Sequence, residues 1–181
     1  MAELTVGERT LSLAVSDIAT VTADAIVNAA NSALAGGGGV DGAIHRAAGP
    51  ELMSELRRRY PLGTPTGSAV LTTAGRLPAR WVVHAVGPVW RGGGSDEARL
   101  LASAYRSALE LAAGAGARSV TLPAISAGIY GYPVDEAARI GLATARDHLG
   151  GETSIERATF VLFSIDTFRI FEAELEGLSA R

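Results

Sequence analysis

The chain has neither cysteine nor lysine among its 181 residues. Without cysteine there are no disulfides, thiol nucleophiles or thiolate metal sites, a composition that fits a cytoplasmic protein. Without lysine, Schiff-base chemistry, a catalytic lysine and a Walker-type phosphate loop are excluded. Long apolar runs are missing too, so no segment reads as a membrane span. The opening MAELTVGERT has no basic or hydrophobic signal region, and no secretory signal is expected. Basic clusters are scarce: the net charge is −3, and Arg57-Arg58-Arg59 is the one run, which reads as the solvated end of a helix. Duplex nucleic acid needs many phosphate contacts from a basic face and is not an expected partner. A small anion remains open, because backbone N–H groups and helix N-termini bind phosphate without basic side chains. The histidines, His45, His84 and His148, are scattered, and no metal site is expected.

What is present is a pattern of alternating strands and helices. Thr10 to Val15, the segment from Ala25, Ser68 to Thr73, Trp81 to Val86, Ser119 to Leu122 and Ala158 to Phe163 read as strands. Asp41 to Ala48, Glu51 to Tyr60, Asp96 to Ala113, Val134 to Leu149 and Asp166 to Leu175 read as helices, with Gly49-Pro50 closing the first. Arg91 to Ser95 reads as a flexible glycine-rich loop. This order predicts one α/β domain over 1–181, with helices on both faces of a mixed, largely parallel sheet. Trp81 and Trp90 are expected to pack. His84, mid-strand, is expected to be a satisfied core histidine, and His148 to complement a helix C-terminus.

The densest chemistry lies in AIVNAANSALAGGGGVDGAIHRAAG, from Ala25 to Gly49. A buried strand passes into Asn28 and Asn31, then into four consecutive glycines, Gly36 to Gly39. Such a run survives where backbone turns sharply or approaches something closely. Asp41 suits the first helical turn, where its carboxylate meets free N–H groups. His45 follows about one turn later, roughly 6 Å along the axis, on the same face. Gly37, Gly39 and Gly42 formally spell G-x-G-x-x-G. A dinucleotide fingerprint, however, needs a tight strand–turn–helix and an acidic residue about 20 positions on, and this stretch has neither. A second loop, Ser126 to Gly131, also follows a strand and precedes a helix. Open α/β sheets bind ligands beyond the carboxyl ends of their strands, so the two loops can hold a diphosphate between them. Either loop alone would be an ordinary turn, and Asp41 alone an ordinary helix-start carboxylate.

Together, Asn28-Ala29-Ala30-Asn31, Gly36 to His45 and Gly128-Ile129-Tyr130-Gly131-Tyr132-Pro133 resemble the macrodomain family, specifically its MacroD-type ADP-ribosylhydrolase branch. The resemblance implies a three-layer α/β/α sandwich holding ADP-ribose at the strand ends. It implies that Asp17 accepts the adenine amino group with the Ile18 backbone beside it. The diphosphate would lie against Gly38, Gly39 and Val40 on one side and Ser126, Ala127, Gly128 and Ile129 on the other. Asn28 is carried over among the ligand contacts, although its place also suits a structural role. Asn31 would fix the distal ribose, Tyr130 would lie along it, and Asp41 would orient or deprotonate water, with His45 supporting Asp41 or the distal-ribose region. Phe163 or Phe168 would stack on adenine. Ala127 stands where many relatives carry threonine, and Tyr130 where others carry phenylalanine.

The activity implied is metal-independent hydrolysis, with no cofactor, of ADP-ribosyl esters. The substrates would be proteins mono-ADP-ribosylated on Asp or Glu, or O-acetyl-ADP-ribose. A non-catalytic ADP-ribose-binding module is the alternative. Retention of Asn31, Asp41 and the whole glycine run favours catalysis. A monomer is expected, with no membrane partner and no nucleic acid beyond ADP-ribosylated ends. The lysine-dependent branch is excluded by composition, and the paired-glutamate motif of the poly(ADP-ribose) glycohydrolases is absent. A bound diphosphate is expected to raise the Asp41 pKa and so improve it as a base.

Overall fold

The computed structural model describes residues 2–180. Seven strands form one sheet in the order β1-β2-β7-β6-β3-β5-β4. These are β1 (Glu3–Val6), β2 (Arg9–Val15), β3 (Ala25–Ala30), β4 (Ala69–Thr73), β5 (Trp81–Val86), β6 (Ser119–Leu122) and β7 (Arg157–Leu162). The central five are parallel, and β1 and β4 run antiparallel along the two edges. The helices are α1 (Gly39–Ala48), α2 (Pro50–Arg59), α3 (Glu97–Gly114), α4 (Val134–Gly150) and α5 (Ile165–Ser179).

The three expected layers follow from how the strand residues divide between the sheet's faces. Leu11, Leu13, Val27, Leu122 and Phe160 meet the apolar stripes of α3, α4 and α5. Tyr105, Phe160 and Phe171 form its aromatic centre, with ring centroids 5.6 and 5.4 Å apart. On the other face Ile26, Val82 and Val161 pack with Ile44 of α1 and Leu52 of α2. Each such buried side chain is worth about 1.5–3 kcal/mol. Gly49, at φ +88°, ends α1 and lets Pro50 open α2 in a new direction.

Two features depart from the sequence reading. β1 was not expected; it is a four-residue strand whose burial merely alternates, and it exists through pairing with β2. The Arg91–Ser95 loop is tied down, because the Glu97 carboxylate, 1% exposed, accepts the amides of Arg91, Gly93 and Ser95 at 2.9, 3.3 and 2.8 Å. Among the described residues, no helix is long and apolar enough to cross a membrane. The chain leaves β2, β3, β5, β6 and β7 at the same end of the sheet, so Asp17, Asn31, Gly87, the Ser126 loop and Phe163 converge there.

Candidate functional site

The first loop is a turn built around Asn31. Its Nδ2 donates to the Gly36 carbonyl at 2.8 Å, and its Oδ1 accepts the Ala35 amide at 3.1 Å. Leu34 takes φ +54°, and Gly36 and Gly39 take +81° and +57°, a conformation natural to glycine and rare for leucine. Gly38 starts α1 with no side-chain cap, leaving first-turn amides open to the cleft. Gly42 is required by contact, since a Cβ there would lie 2.7 Å from the Gly37 carbonyl oxygen.

Asp41, in the first turn of α1, is 6% exposed. Its Oδ1 accepts Asn28 Nδ2 at 2.7 Å and lies 3.3 Å from His45 Nε2. Its Oδ2 faces the loop, 3.4 Å from where a Gly37 Cβ would sit, with Asn31 Nδ2 3.9 Å from that same point. Burial pushes the carboxyl pKa up, but hydrogen bonds from His45 and Asn28 outweigh it and hold the group below its ordinary value of 3.8. Without ligand, Asp41 is therefore ionised at neutral pH.

The second loop is pinned from beneath. Tyr105 Oη of α3 donates to the Pro123 carbonyl at 2.7 Å and accepts the Ile125 amide at 2.9 Å. Ser126 takes φ +64°, and its buried hydroxyl has no hydrogen-bond partner among the described residues. Such strain persists where surroundings over-determine it, often at ligand sites. The loop closes through Tyr132 N to Ser126 O and Gly131 N to Gly128 O, at 2.9 and 3.0 Å. Trp90 packs as expected, its ring 4.6 Å from that of Tyr132, and its amide also holds the Tyr130 carbonyl at 2.9 Å. Ile129, 79% exposed, reaches across to the first loop, 3.4 Å from where a Gly38 Cβ would be.

Between the loops lies a cavity of about 730 Å³, within the range of small-molecule sites. Asp17, Ile18, Asn31, Gly38, Gly39, Val40, Asp41, Ser126, Ala127, Gly128, Ile129, Tyr130 and Phe163 line it. Asp17 spends one oxygen on the Ala19 amide at 2.9 Å, capping the turn Ile18–Thr20. Asn28 and His45, carried over as site residues, do not line the cavity. Asn28 is fully buried behind Asp41, and both act on that carboxylate. Of the two aromatic candidates, Phe163 stands exposed at the rim and Phe168, on α5, is half-buried against the core. Arg46 and Gly87 also line the cavity and had not been singled out. Arg46 stands at helical spacing from Gly39 and Ala43 on the face of α1 that lines the cavity, so that periodicity points to it; Gly87 depends on tertiary contact.

Comparison with known proteins gives a consistent picture. The Macro domain family model matches residues 27–141. A Macro domain-containing protein of Chlorobaculum tepidum is 51% identical, the match covering 88% of this chain and 92% of the relative. A protein of Citrobacter rodentium named O-acetyl-ADP-ribose deacetylase is 52% identical over 86% of this chain and 89% of its own length. Among solved structures, a variant of the Oceanobacillus iheyensis macrodomain with ADPR superposes with a TM-score of 0.93 at 41% identity, covering 99% and 98% of the two chains. By sequence and by fold, this chain belongs to the Macro domain family.

Proposed function

We propose that this protein binds ADP-ribose between its two glycine loops and hydrolyses ADP-ribosyl esters. The products would be mono-ADP-ribose freed from protein Asp or Glu side chains, or acetate freed from O-acetyl-ADP-ribose. The observation that carries this reading is the division of labour on Asp41: Oδ1 is held by Asn28 and His45, while Oδ2 faces the loop and Asn31. The relatives named O-acetyl-ADP-ribose deacetylase and the neighbours holding ADP-ribose support it.

In this reading the diphosphate lies along the amides of Gly38, Gly39 and Val40 and those of the Ser126–Tyr130 loop, where the N-terminus of α1 favours negative charge. Adenine lies by the free oxygen of Asp17, the Ile18 backbone and the ring of Phe163. Tyr130 lies along the distal ribose. Asn31 spends one Nδ2 proton on Gly36, leaving the second for a ribose hydroxyl. Asp41 Oδ2 accepts a hydrogen bond from the attacking water or the ribose hydroxyl beside it. Water adds across the ester, its oxygen going to the electrophilic carbon and its proton to the leaving oxygen.

The depressed pKa makes Asp41 a weak proton acceptor without ligand, which favours an orienting role unless a bound diphosphate raises it. The same fact favours the alternative, a binding module that does no chemistry. Incubating glutamate-linked mono-ADP-ribosylated protein with wild type, Asn31→Ala and Asp41→Ala separates the two. Hydrolysis predicts release by wild type and its loss in both variants, with ADP-ribose binding largely retained. Binding without release by wild type would leave only the module.

A further inference from the structure

Behind the cleft wall runs a line of buried polar groups that ligand contact alone does not require. The register of β3 and β5 sets Asn28 beside His84, both fully buried and facing α1. Thr72 Oγ1, on β4, donates to the Thr73 carbonyl and lies 2.9 Å from His84 Nε2. His84 Nδ1 lies 3.1 Å from Asn28 Nδ2, which in turn donates to Asp41 Oδ1.

Both ends of this line can only accept, because a backbone carbonyl and an ionised carboxylate carry no proton. With its own proton committed to Thr73, the Thr72 oxygen takes a hydrogen bond from His84 Nε2–H. His84 Nδ1 is then bare and accepts one N–H of Asn28, and the other N–H points at Asp41. A doubly protonated His84 would set Nδ1–H against an amide N–H. Turning the Asn28 amide over would set its oxygen against the carboxylate. One arrangement remains, and it leaves Asn28 Oδ1 without a partner among the described residues.

We propose that His84, as the neutral Nε2–H tautomer, is a positioning residue that locks the Asn28 amide so that Asp41 is presented ionised, with Oδ2 toward the cleft. The catalytic part of this proposal rests on the hydrolase reading; the hydrogen-bond line does not. The charged and titratable groups facing His84 are Asp41 and His45 of α1 and Glu55 of α2, the last paired with Arg59. Burial, then His45, keeps the His84 pKa down to about 3, in accord with a neutral ring.

The test uses His84→Asn, which keeps an acceptor where Nδ1 lies, and His84→Gln, which reaches Thr72 but offers Asn28 no acceptor. With only three histidines, long-range 15N–1H spectra resolve the tautomer directly. The expected result is Nε2–H with a bare Nδ1, unchanged from pH 8 to pH 5; an Nδ1–H tautomer, or protonation in that range, would overturn the proposal. The Asp41 carboxyl, followed by 13C titration, should rise by about one pH unit in His84→Gln and stay near wild type in His84→Asn. An Asp41 that ignores both substitutions would also overturn it. With O-acetyl-ADP-ribose, His84→Gln should lower kcat about tenfold, with KM unchanged and the acid limb moved to higher pH, and His84→Asn should restore all three. Equal kcat losses in both variants would mean that His84 serves only packing. If wild type shows no turnover, the hydrolase reading fails, and the tautomer and the Asp41 titration decide the hydrogen-bond line alone.

Discussion

Gly87→Ala is the sharpest steric test of the second loop. Gly87 follows β5 and sits under Ser126, and a Cβ there would lie 2.3 Å from Ser126 Oγ and 2.4 Å from Ile125 Cγ2. Ordinary contact begins near 3.4 Å, so the loop must move by about 1.1 Å (3.4 − 2.3) at the hydroxyl and 1.0 Å (3.4 − 2.4) at the isoleucine. Rotating the Ser126 hydroxyl away relieves only the first clash. Its backbone is already at positive φ, and Ile125 is held by Tyr105, so the loop has little room to yield. Overpacking of this size costs about 1–3 kcal/mol of stability. A displacement of about 1 Å also shifts the loop amides proposed to hold the diphosphate, at the cost of at least one hydrogen bond to it. A bond to a charged group is worth about 1.5–3 kcal/mol, or roughly 10- to 100-fold in affinity. Isothermal titration with ADP-ribose, beside a thermal melt, reads both numbers. Unchanged affinity in a folded Gly87→Ala protein would refute the claim that this loop grips the diphosphate.

Tyr105→Phe removes a buried hydroxyl that bonds both the Pro123 carbonyl and the Ile125 amide, which keep only their own contact at 3.0 Å, and should cost about 1–3 kcal/mol by chemical denaturation. Asp24→Ala should cost about 1–2 kcal/mol, since its carboxylate takes the Arg118 and Ser119 amides at 2.8 and 3.1 Å. For pH, His84 has a folded pKa depressed to about 3 against an ordinary 6.5. The unfolded chain therefore binds a proton first, and stability should fall as pH drops below 6.5, by up to about 1.4 kcal/mol per pH unit. Melting curves should show this slope in wild type and a shallower one in His84→Asn, where His148, also depressed by burial, still contributes. Because the ester is already activated, a chelator should leave turnover unchanged, and loss of rate in EDTA would contradict the metal-independent scheme.

Much of the site was legible because glycine and helix starts report backbone demands locally. Gly36 and Gly39 turn the chain through positive φ, Gly37 and Gly38 lie close to the side chains of Asp41 and Ile129, and Asp41 falls in the first turn of α1 as its position after the glycines implies. What was not legible depends on contacts between distant segments. Asn28 touches His84 56 residues away, and the register of two strands makes that pair. Tyr105 reaches the second loop from a helix, so nothing near Ser126 announces it. Phe163 separates from Phe168 only once β7 is known to stop at Leu162. β1 escaped because four residues of modest pattern become a strand by pairing along an edge. The restraint on the Arg91–Ser95 loop is not legible in its own glycines because it comes from one buried glutamate that also opens α3.

The measurement closest to the central claim is single-turnover hydrolysis of O-acetyl-ADP-ribose by wild type and Asp41→Asn, each saturated with substrate. Asparagine keeps the shape of the side chain and removes its charge. The account predicts a rate lower by about 10²–10⁴-fold with the dissociation constant for ADP-ribose changed by no more than a few-fold. Equal rates from the two proteins would contradict it.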